Sequence, residues 1–384
     1  MAAPLLERLR DLPSAGPVLA ALDGERHVWA VGGAVRDLLL GGVPSDLDLV
    51  VEGDAVAVAR RAAARLGGEV LVHERFGTAT VRGAAAVFDL AGARRESYPR
   101  PGALPVVELG AALADDLARR DFTVNTLALR LADGELRGVP AARGDLEARV
   151  LRVLHDGSFR DDPTRLLRLA RYAARLGFAV EPRTAELAGA AVAGGALATV
   201  SGERLGAELR LLAREPQPAA LAALKRFGLG AALLPGFAVD PERVERALAI
   251  CPPDARVDVV ALAAATGAVP PERWRELAFP AAEAAALRAA GALGPLTTDR
   301  PSEVDAVLRR LPLEAAVLAA VDSEAARDWL ARGRHLRTAI TGDDLLAAGR
   351  SGPAVGRGLA AARAALLDGT APDREAQLAA ALAA

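Results

Sequence analysis

Cysteine is almost missing from this sequence. Cys251 is the only one, so no disulfide can close within the chain and a cysteine-based zinc site is excluded. Lysine is as rare: of 47 basic residues only Lys225 is a lysine. It sits in ALKRFG and not directly after a glycine, which removes the nucleotide hydrolases built on a GKS or GKT phosphate loop. Phosphate contacts therefore fall to arginine, whose planar fork grips phosphate oxygens in pairs. Four scattered histidines, His27, His73, His155 and His335, argue against a multi-histidine metal centre. Long apolar runs are lacking too. The longest uncharged stretch, Leu187 to Gly202, is rich in Ala and Gly and short of the ~20 strongly apolar residues that span a bilayer, so no membrane segment is expected. The start, MAAPLLERLRDLP, lacks the uncharged core of a secretory signal and reads as part of the fold. Excess charge is absent as well, with a net charge of -2. Any surface for nucleic acid must then be a local one. These absences suit a reducing, cytoplasmic setting.

At 384 residues and 52% hydrophobic, the chain has material for two to four structural units. Between His27 and Arg130, the runs HVWAV, LDLVV, EVLV, TATVR and AAVFDL read as strands. They are separated by AVRDLLLG and by the helical run Ala55 to Leu66. This predicts a mixed α/β head. From about Leu146 onward Ala/Leu/Arg/Glu periodicity dominates, broken by Pro and Gly clusters, and a string of helices is expected.

The segment VGGAVRDLLLGGVPSDLDLVVEGDA puts Gly32 and Gly33 between a strand and a helix, where the backbone can approach a phosphate. Asp46 and Asp48 follow on a predicted strand, one residue apart, so both side chains should share a face. Two carboxylates beside a phosphate-binding turn make a magnesium site, since that ion favours one or two carboxylates, water and substrate phosphate oxygens. A dinucleotide-binding turn fails on spacing, because GGAVRD offers no G-x-G-x-x-G. Farther on, DDLARRDFTVNTLAL spans Asp115 to Leu129, and VLHDGSFRDDPTRLLRLARYAARLGF spans Val153 to Phe178. In the latter, Pro163 suits a first helical turn capped by Asp161 or Asp162, and Asp162 and Arg165 should share a helical face. Arg165 only donates, matching cytosine N3 and O2 or adenine N1; Asp162, ionised, only accepts, matching the exocyclic amino group of either base. Such a pair can select C and A, because wrong bases leave buried donors unpaired at a cost of about 1 to 3 kcal/mol each. Arg168 lies on the same side, within reach of a triphosphate, while Arg171 and Arg175 are candidates for RNA contact. His155 and Asp156 suggest a metal phosphohydrolase, but the further histidines it needs are missing.

Gly32, Gly33, Arg36, Asp37, Asp46 and Asp48 together resemble the signature of the class II tRNA nucleotidyltransferase and bacterial poly(A) polymerase family, within the polymerase-beta-like nucleotidyltransferases. The second run resembles that family's RRDFTxNA motif, with Thr126 where alanine is usual. The third resembles its EDxxR motif, with Asp161 replacing glutamate. SGERLGAELRLL resembles ERxxxEL, and Ile340 to Gly369, with its Gly352 to Gly356 turn, resembles the family's RNA-binding tail.

The resemblance implies an α+β protein: a nucleotidyltransferase head with a small mixed sheet at 1–145, a helical neck reading the base at 146–225, a helical body at 226–295, and a tRNA-binding tail at 296–384. It implies Mg2+ on Asp46 and Asp48, with Asp89 as a third acid. Gly32, Gly33, Arg36, Asp37, Arg120, Asp121, Asn125, Asp162, Arg165 and Arg168 become nucleotide contacts, with Arg119 beside them, and Glu203, Arg204 and Glu208 bracing residues. The activity implied is template-independent addition of CCA to tRNA from CTP and ATP. The alternatives are partial CC or A addition, poly(A) synthesis and a non-catalytic RNA-binding role. The stretch Arg94 to Gly110 is long enough for the flexible loop that switches from C to A, which favours the complete activity.

Overall fold

The computed structural model describes residues 3–44, 46–73, 77–267 and 269–384, and packing divides the chain into two compact units, Met1–Ser201 and Gly202–Ala384. The first unit is α+β. Helices α1 (Ala3–Arg10) and α2 (Gly16–Ala21) lead into β1 (Val28–Val31), α3 (Gly33–Leu39), β2 (Leu49–Val51), α4 (Ala55–Leu66), β3 (Glu69–His73), β4 (Thr78–Arg82) and β5 (Val87–Gly92). Then follow β6 (Arg94–Ser97), β7 (Val106–Leu109), α5 (Leu113–Ala118), β8 (Ala128–Arg130), β9 (Leu136–Arg137), α6 (Ala142–Glu147) and β10 (Val150–Leu151). Last come α7 (Ser158–Asp161), α8 (Thr164–Leu176), β11 (Ala179–Val180) and α9 (Pro182–Ala193).

The main sheet runs β3-β4-β5-β2-β1-β8-β9 and is mixed: β2 and β5 are parallel and the other neighbours antiparallel. Helix α4 shows why sequence and element agree. Asp54 accepts from the Ala57 amide at its start, Gly67 ends it in left-handed conformation, and Ala55, Val58, Ala59, Ala62 and Ala63 bury one stripe. Trp29, Val31, Val50, Ala93, Leu113, Leu117 and Ala128 form a core on the central strands. That core fixes the ends of β1 and β2, where the predicted site lies.

The stretch expected as a flexible loop between Arg94 and Gly110 contains an antiparallel hairpin of β6 and β7. Alternation in RRES and VVEL supports strands, and Arg95 pairs across with Glu108 at 3.1 Å.

The second unit is helical: α10 (Gly202–Ala213), α11 (Ala219–Arg226), α12 (Leu229–Leu233), α13 (Pro241–Ala249), α14 (Val257–Ala265), α15 (Pro271–Glu276) and α16 (Ala281–Ala292) come first. α17 (Pro301–Leu308), α18 (Leu313–Asp322), α19 (Glu324–Ala331), α20 (Gly342–Ala347), α21 (Pro353–Leu367) and α22 (Arg374–Leu382) complete it. Helices α14, α16 and α18 pack on one another, and Ile340, Leu345, Ala362 and Ala381 make a smaller core under α20 to α22. Among the described residues no helix is long and apolar enough to cross a membrane.

Candidate active site

The turn after β1 depends on glycine. Gly32 has φ 67 and ψ -126, a conformation closed to residues with a Cβ, and a Cβ there would stand 2.8 Å from Arg120 Nη1. The turn starts α3, whose Arg36 is buried beneath it at 1% exposure. Arg36 donates from Nη1 to Asn125 Oδ1 at 2.7 Å and from Nε to Asp37 Oδ1 at 2.8 Å. Asn125 ends a tight turn of Thr123–Asn125, and its Nδ2 donates to Asp121 Oδ1 at 2.9 Å. Asp121 Oδ1 also accepts from the Phe122 amide at 2.8 Å, and Asp121 Oδ2 takes Arg168 Nε of α8 at 2.7 Å. Residues from three distant stretches therefore form one chain of contacts, Asp37–Arg36–Asn125–Asp121–Arg168. Burial pushes the Asp121 pKa upward, but Arg168 and the bonds from Asn125 and Phe122 outweigh it and hold the carboxyl at about 2.

Arg120 projects beside this chain. Its Nη2 bonds Asp116 Oδ2 at 3.1 Å, and Asp116, fully buried, also takes Arg119 Nη2 at 2.9 Å. Arg120 Nε is buried with no hydrogen-bond partner among the described residues. A donor left in that state is suited to an anionic ligand.

The acids stand differently from the expectation. Only Leu49–Val51 form β2, so Asp46 and Asp48 precede the strand instead of lying on it. The register explains why. Ala30 pairs with Leu49 and the Val31 amide reaches the Asp48 carbonyl at 3.0 Å; the next partner would be Gly32, which has already turned toward α3. Asp46, Asp48 and Asp89 of β5 nevertheless line one cavity of about 400 Å³. Thr80 Oγ1 donates to Asp89 Oδ1 at 2.5 Å. Asp48 is open to solvent along its side chain, yet enough protein surrounds the carboxyl that desolvation raises its pKa. Arg120 opposes that rise, and the charges of Asp46 and Asp89 add to it.

Asp162, one of the two acids read as the cap before Pro163, stands ahead of α8 and so does not share a helical face with Arg165. It has φ -133 and ψ 95 in the joint between α7 and α8, and its Oδ1 accepts from Thr164 N at 3.1 Å and Thr164 Oγ1 at 2.7 Å. The extended backbone follows from Pro163, which disfavours helix in the residue before it. Arg165, in the first turn of α8, is buried; it donates from Nη1 to Ser158 Oγ at 2.6 Å and from Nη2 to the Arg119 carbonyl at 2.8 Å. Arg171, expected toward RNA, is buried with its guanidinium 5.1 Å from the Tyr172 ring centroid, because its helix turns that face into the core; Arg175 is exposed. Glu203, Arg204 and Glu208 lie on α10 of the second unit, the first exposed and the other two half-buried.

The chain so described is similar to known proteins. A family model, the poly A polymerase head domain, matches residues 28–152. The A-adding tRNA nucleotidyltransferase of Halalkalibacterium halodurans is 44% identical over 218 residues, 55% of this chain and 50% of that protein. The CC-adding tRNA nucleotidyltransferase of Deinococcus radiodurans is 47% identical over 216 residues, 54% of this chain and 55% of that protein. The structure of a CCA-adding enzyme in apo form superposes with TM-score 0.82 at 29% identity, covering 100% of this chain and 98% of that one. The chain carries a poly A polymerase head domain and is similar to tRNA nucleotidyltransferases. It spans about half the length of those two curated relatives.

Members of this family are generally dependent on a divalent metal. Among the described residues no three histidine, cysteine or acidic side chains converge closely enough to hold a metal alone. The donor set fits a cation completed by ligand oxygens: hard carboxylates on one cavity, with the Asp48 pKa raised first by desolvation and further by Asp46 and Asp89.

Sequence reading missed the aromatic partners of the site. The chain has two tyrosines, and both lie on arginines of the predicted site. Tyr172 sits with the guanidinia of Arg36 at 5.3 Å, Arg168 at 5.5 Å and Arg171 at 5.1 Å from its ring centroid. Tyr98 of the β6–β7 hairpin lies 5.9 Å from Arg165 and donates to Glu96 Oε2 at 3.2 Å. Their rarity was the available signal. Asp116, read only as part of a charged run, had none.

Proposed function

We propose that the chain is a template-independent tRNA nucleotidyltransferase that adds CCA to the tRNA 3′ end from CTP and ATP. The observation that carries this reading is that Asp46, Asp48 and Asp89 line one cavity, with the Asp48 carboxyl raised first by desolvation and further by its acidic neighbours. The names of the relatives support the same chemistry. In the proposed reaction the 3′-hydroxyl oxygen of tRNA bonds to the α-phosphorus, the bond to the β-phosphate oxygen breaks, and pyrophosphate leaves. Mg2+ held by Asp46 and Asp48 would lower the charge on the triphosphate and favour the ionised hydroxyl.

The rest falls to this chain's own groups. Arg120, backed by Asp116, faces the triphosphate; Gly32 lets it approach the turn; Asp121 and Asn125 face the ribose. Asp162 and Arg165 read the exocyclic amino group and ring acceptors of C or A. We assign the head to 1–145, the neck to 146–225, the body to 226–295 and the tRNA-binding tail to 296–384, in a cytoplasmic protein.

A second reading, addition of CC alone or A alone, is favoured by the identity to A-adding and CC-adding relatives. The deciding experiment supplies tRNA trimmed to its discriminator base, and tRNA ending in CC, with CTP, ATP, UTP or both correct nucleotides. Three added residues with CTP and ATP together sustain CCA addition. Two from CTP with no later A indicate a CC-adding enzyme, and growth only on the CC-ended substrate an A-adding one. Extension of a generic RNA primer with many A residues would turn the reading to poly(A) synthesis. UTP used as well as CTP removes the side-chain template, and no incorporation on any substrate with Mg2+ removes the activity.

A further inference from the structure

The second unit contains a cavity of about 510 Å³ that the nucleotidyl-transfer reading does not use. It is lined by Arg309, Arg334, Arg337, Arg363 and His335, with Asp254 the one acid among its lining residues. Two of the arginines are held from behind. Arg334 makes paired bonds to Asp254 at 2.8 and 2.9 Å, and Arg363 makes paired bonds to Asp305 at 2.6 and 2.8 Å. Asp305 is itself buried, and Trp329 Nε1 donates to it at 2.7 Å. Arg363 also donates to the Leu336 carbonyl at 2.7 Å, which ties α21 to the turn carrying Arg334 and His335.

The charges do not cancel. Four arginines meet two aspartates, Asp254 and Asp305, and the second aspartate is shared, with Arg309 only 3.8 Å away. The Arg337 side chain is exposed and makes no ion pair among the described residues. In a chain whose net charge is -2, a concave surface with two surplus positive charges is a local concentration of one sign. Concave basic walls focus potential on an anion, and arginines already fixed by carboxylates lose little freedom when they bind one. Trp329 also lines the cavity, buried and with its N–H donated to Asp305, so it adds an apolar wall and no free donor. The chemistry of the cavity is that of phosphate.

We propose that this cavity is a phosphate-binding site, separate from the head's triphosphate site, which takes phosphates of an RNA backbone or of a small polyphosphate. The two sources are separated with the double variant Arg309→Ser/Arg337→Ser, which leaves both paired arginines and the whole head intact, alongside Arg337→Ser alone. The first arm titrates inorganic pyrophosphate calorimetrically at constant ionic strength. Any pyrophosphate bound by the head is present in every protein, so a site seen in the parent and lost in the double variant identifies a small-anion ligand. The second arm measures binding of tRNA lacking CCA against salt. If RNA is the source, the slope of log K against log salt falls by about 1.4 to 1.8 in the double variant and by half that in the single one. Unchanged pyrophosphate stoichiometry together with an unchanged slope overturns the site. Only the RNA arm rests on the proposed tRNA activity, and nucleotide incorporation on a short acceptor-stem substrate, measured beside it, reports the failure of that activity independently.

Discussion

Two parts of the first unit use the same kinds of side chain to opposite ends. In the inner lattice, Asp121, Asn125, Arg36 and Arg168 satisfy one another around Tyr172, and Asp121 is held at about 2. At the mouth, Asp46, Asp48 and Asp89 share one cavity, and Asp48 is shifted the other way. A carboxylate with its cation already in place is part of the frame. One whose neighbours are more carboxylates is held in a state that a bound cation would relieve. The two carboxyls are thus shifted in opposite directions, Asp121 down by Arg168 and its hydrogen bonds, Asp48 up by desolvation and then by its acidic neighbours.

The largest effect that can break this contrast is Asp46→Ala/Asp48→Ala. Incorporation should fall at least ~1000-fold, corresponding to about 4 kcal/mol of lost transition-state stabilisation. Thermal stability should hold or rise, because the change removes like charges. Mg2+ should raise the melting temperature of the parent and leave the double variant unmoved. Incorporation within tenfold of the parent, or a collapse of the fold, would place these acids in the frame instead.

The converse is expected of Asp121→Asn, which should cost about 2 to 3 kcal/mol in urea unfolding, since Arg168 loses its partner in a mostly buried setting. Its pH dependence has a definite sign. The folded pKa of Asp121, at about 2, lies below the ordinary 3.8, so its contribution is present above about pH 4 and lost as pH falls through 2. That contribution is of order 2 kcal/mol at neutral pH. The parent's loss of stability in acid should therefore be shallower in the variant. For Asp48, raised in the fold, the sign reverses: it disfavours the folded state increasingly as pH climbs through its pKa. Identical acid limbs in parent and Asp121→Asn would show that the lattice does not hold the proton off this carboxyl.

Much of this was legible before the structure. Helix α4 falls on Ala55 to Leu66 as read, because cap, apolar stripe and terminal glycine all agree. Five strands were found by alternation or apolar runs, and the contact of Arg36 with Asn125, 89 residues apart, follows from two motifs named in advance. What escaped depends on where a neighbour ends. Asp46 leaves the strand because β1 gives way to the Gly32 turn, whereas Asp162, one of the two acids read as the cap before Pro163, does accept from the Thr164 amide but shares no helical face with Arg165. Tyr172 escaped because an aromatic inside an amphipathic helix looks like core, and three guanidinia gathered from separated positions are visible only once the chain is folded.

The smallest effect sharpens the contrast most, because it asks what the lattice is built around. Tyr172 offers its ring to Arg36, Arg168 and Arg171, and its hydroxyl accepts from Arg168 Nη2 at 3.3 Å. Tyr172→Phe keeps the ring and should cost under about 1 kcal/mol, the worth of one long hydrogen bond. Tyr172→Leu keeps apolar bulk but removes the π face, and should cost about 1 to 2 kcal/mol and raise KM for the nucleotide more than it lowers kcat, since Arg36 and Arg168 lose their common seat. If phenylalanine and leucine behave alike, the hydroxyl and not the ring aligns the arginines. The inner lattice would then be a hydrogen-bonded chain that happens to pass an aromatic, and its rigidity would have to come from Asp121 alone.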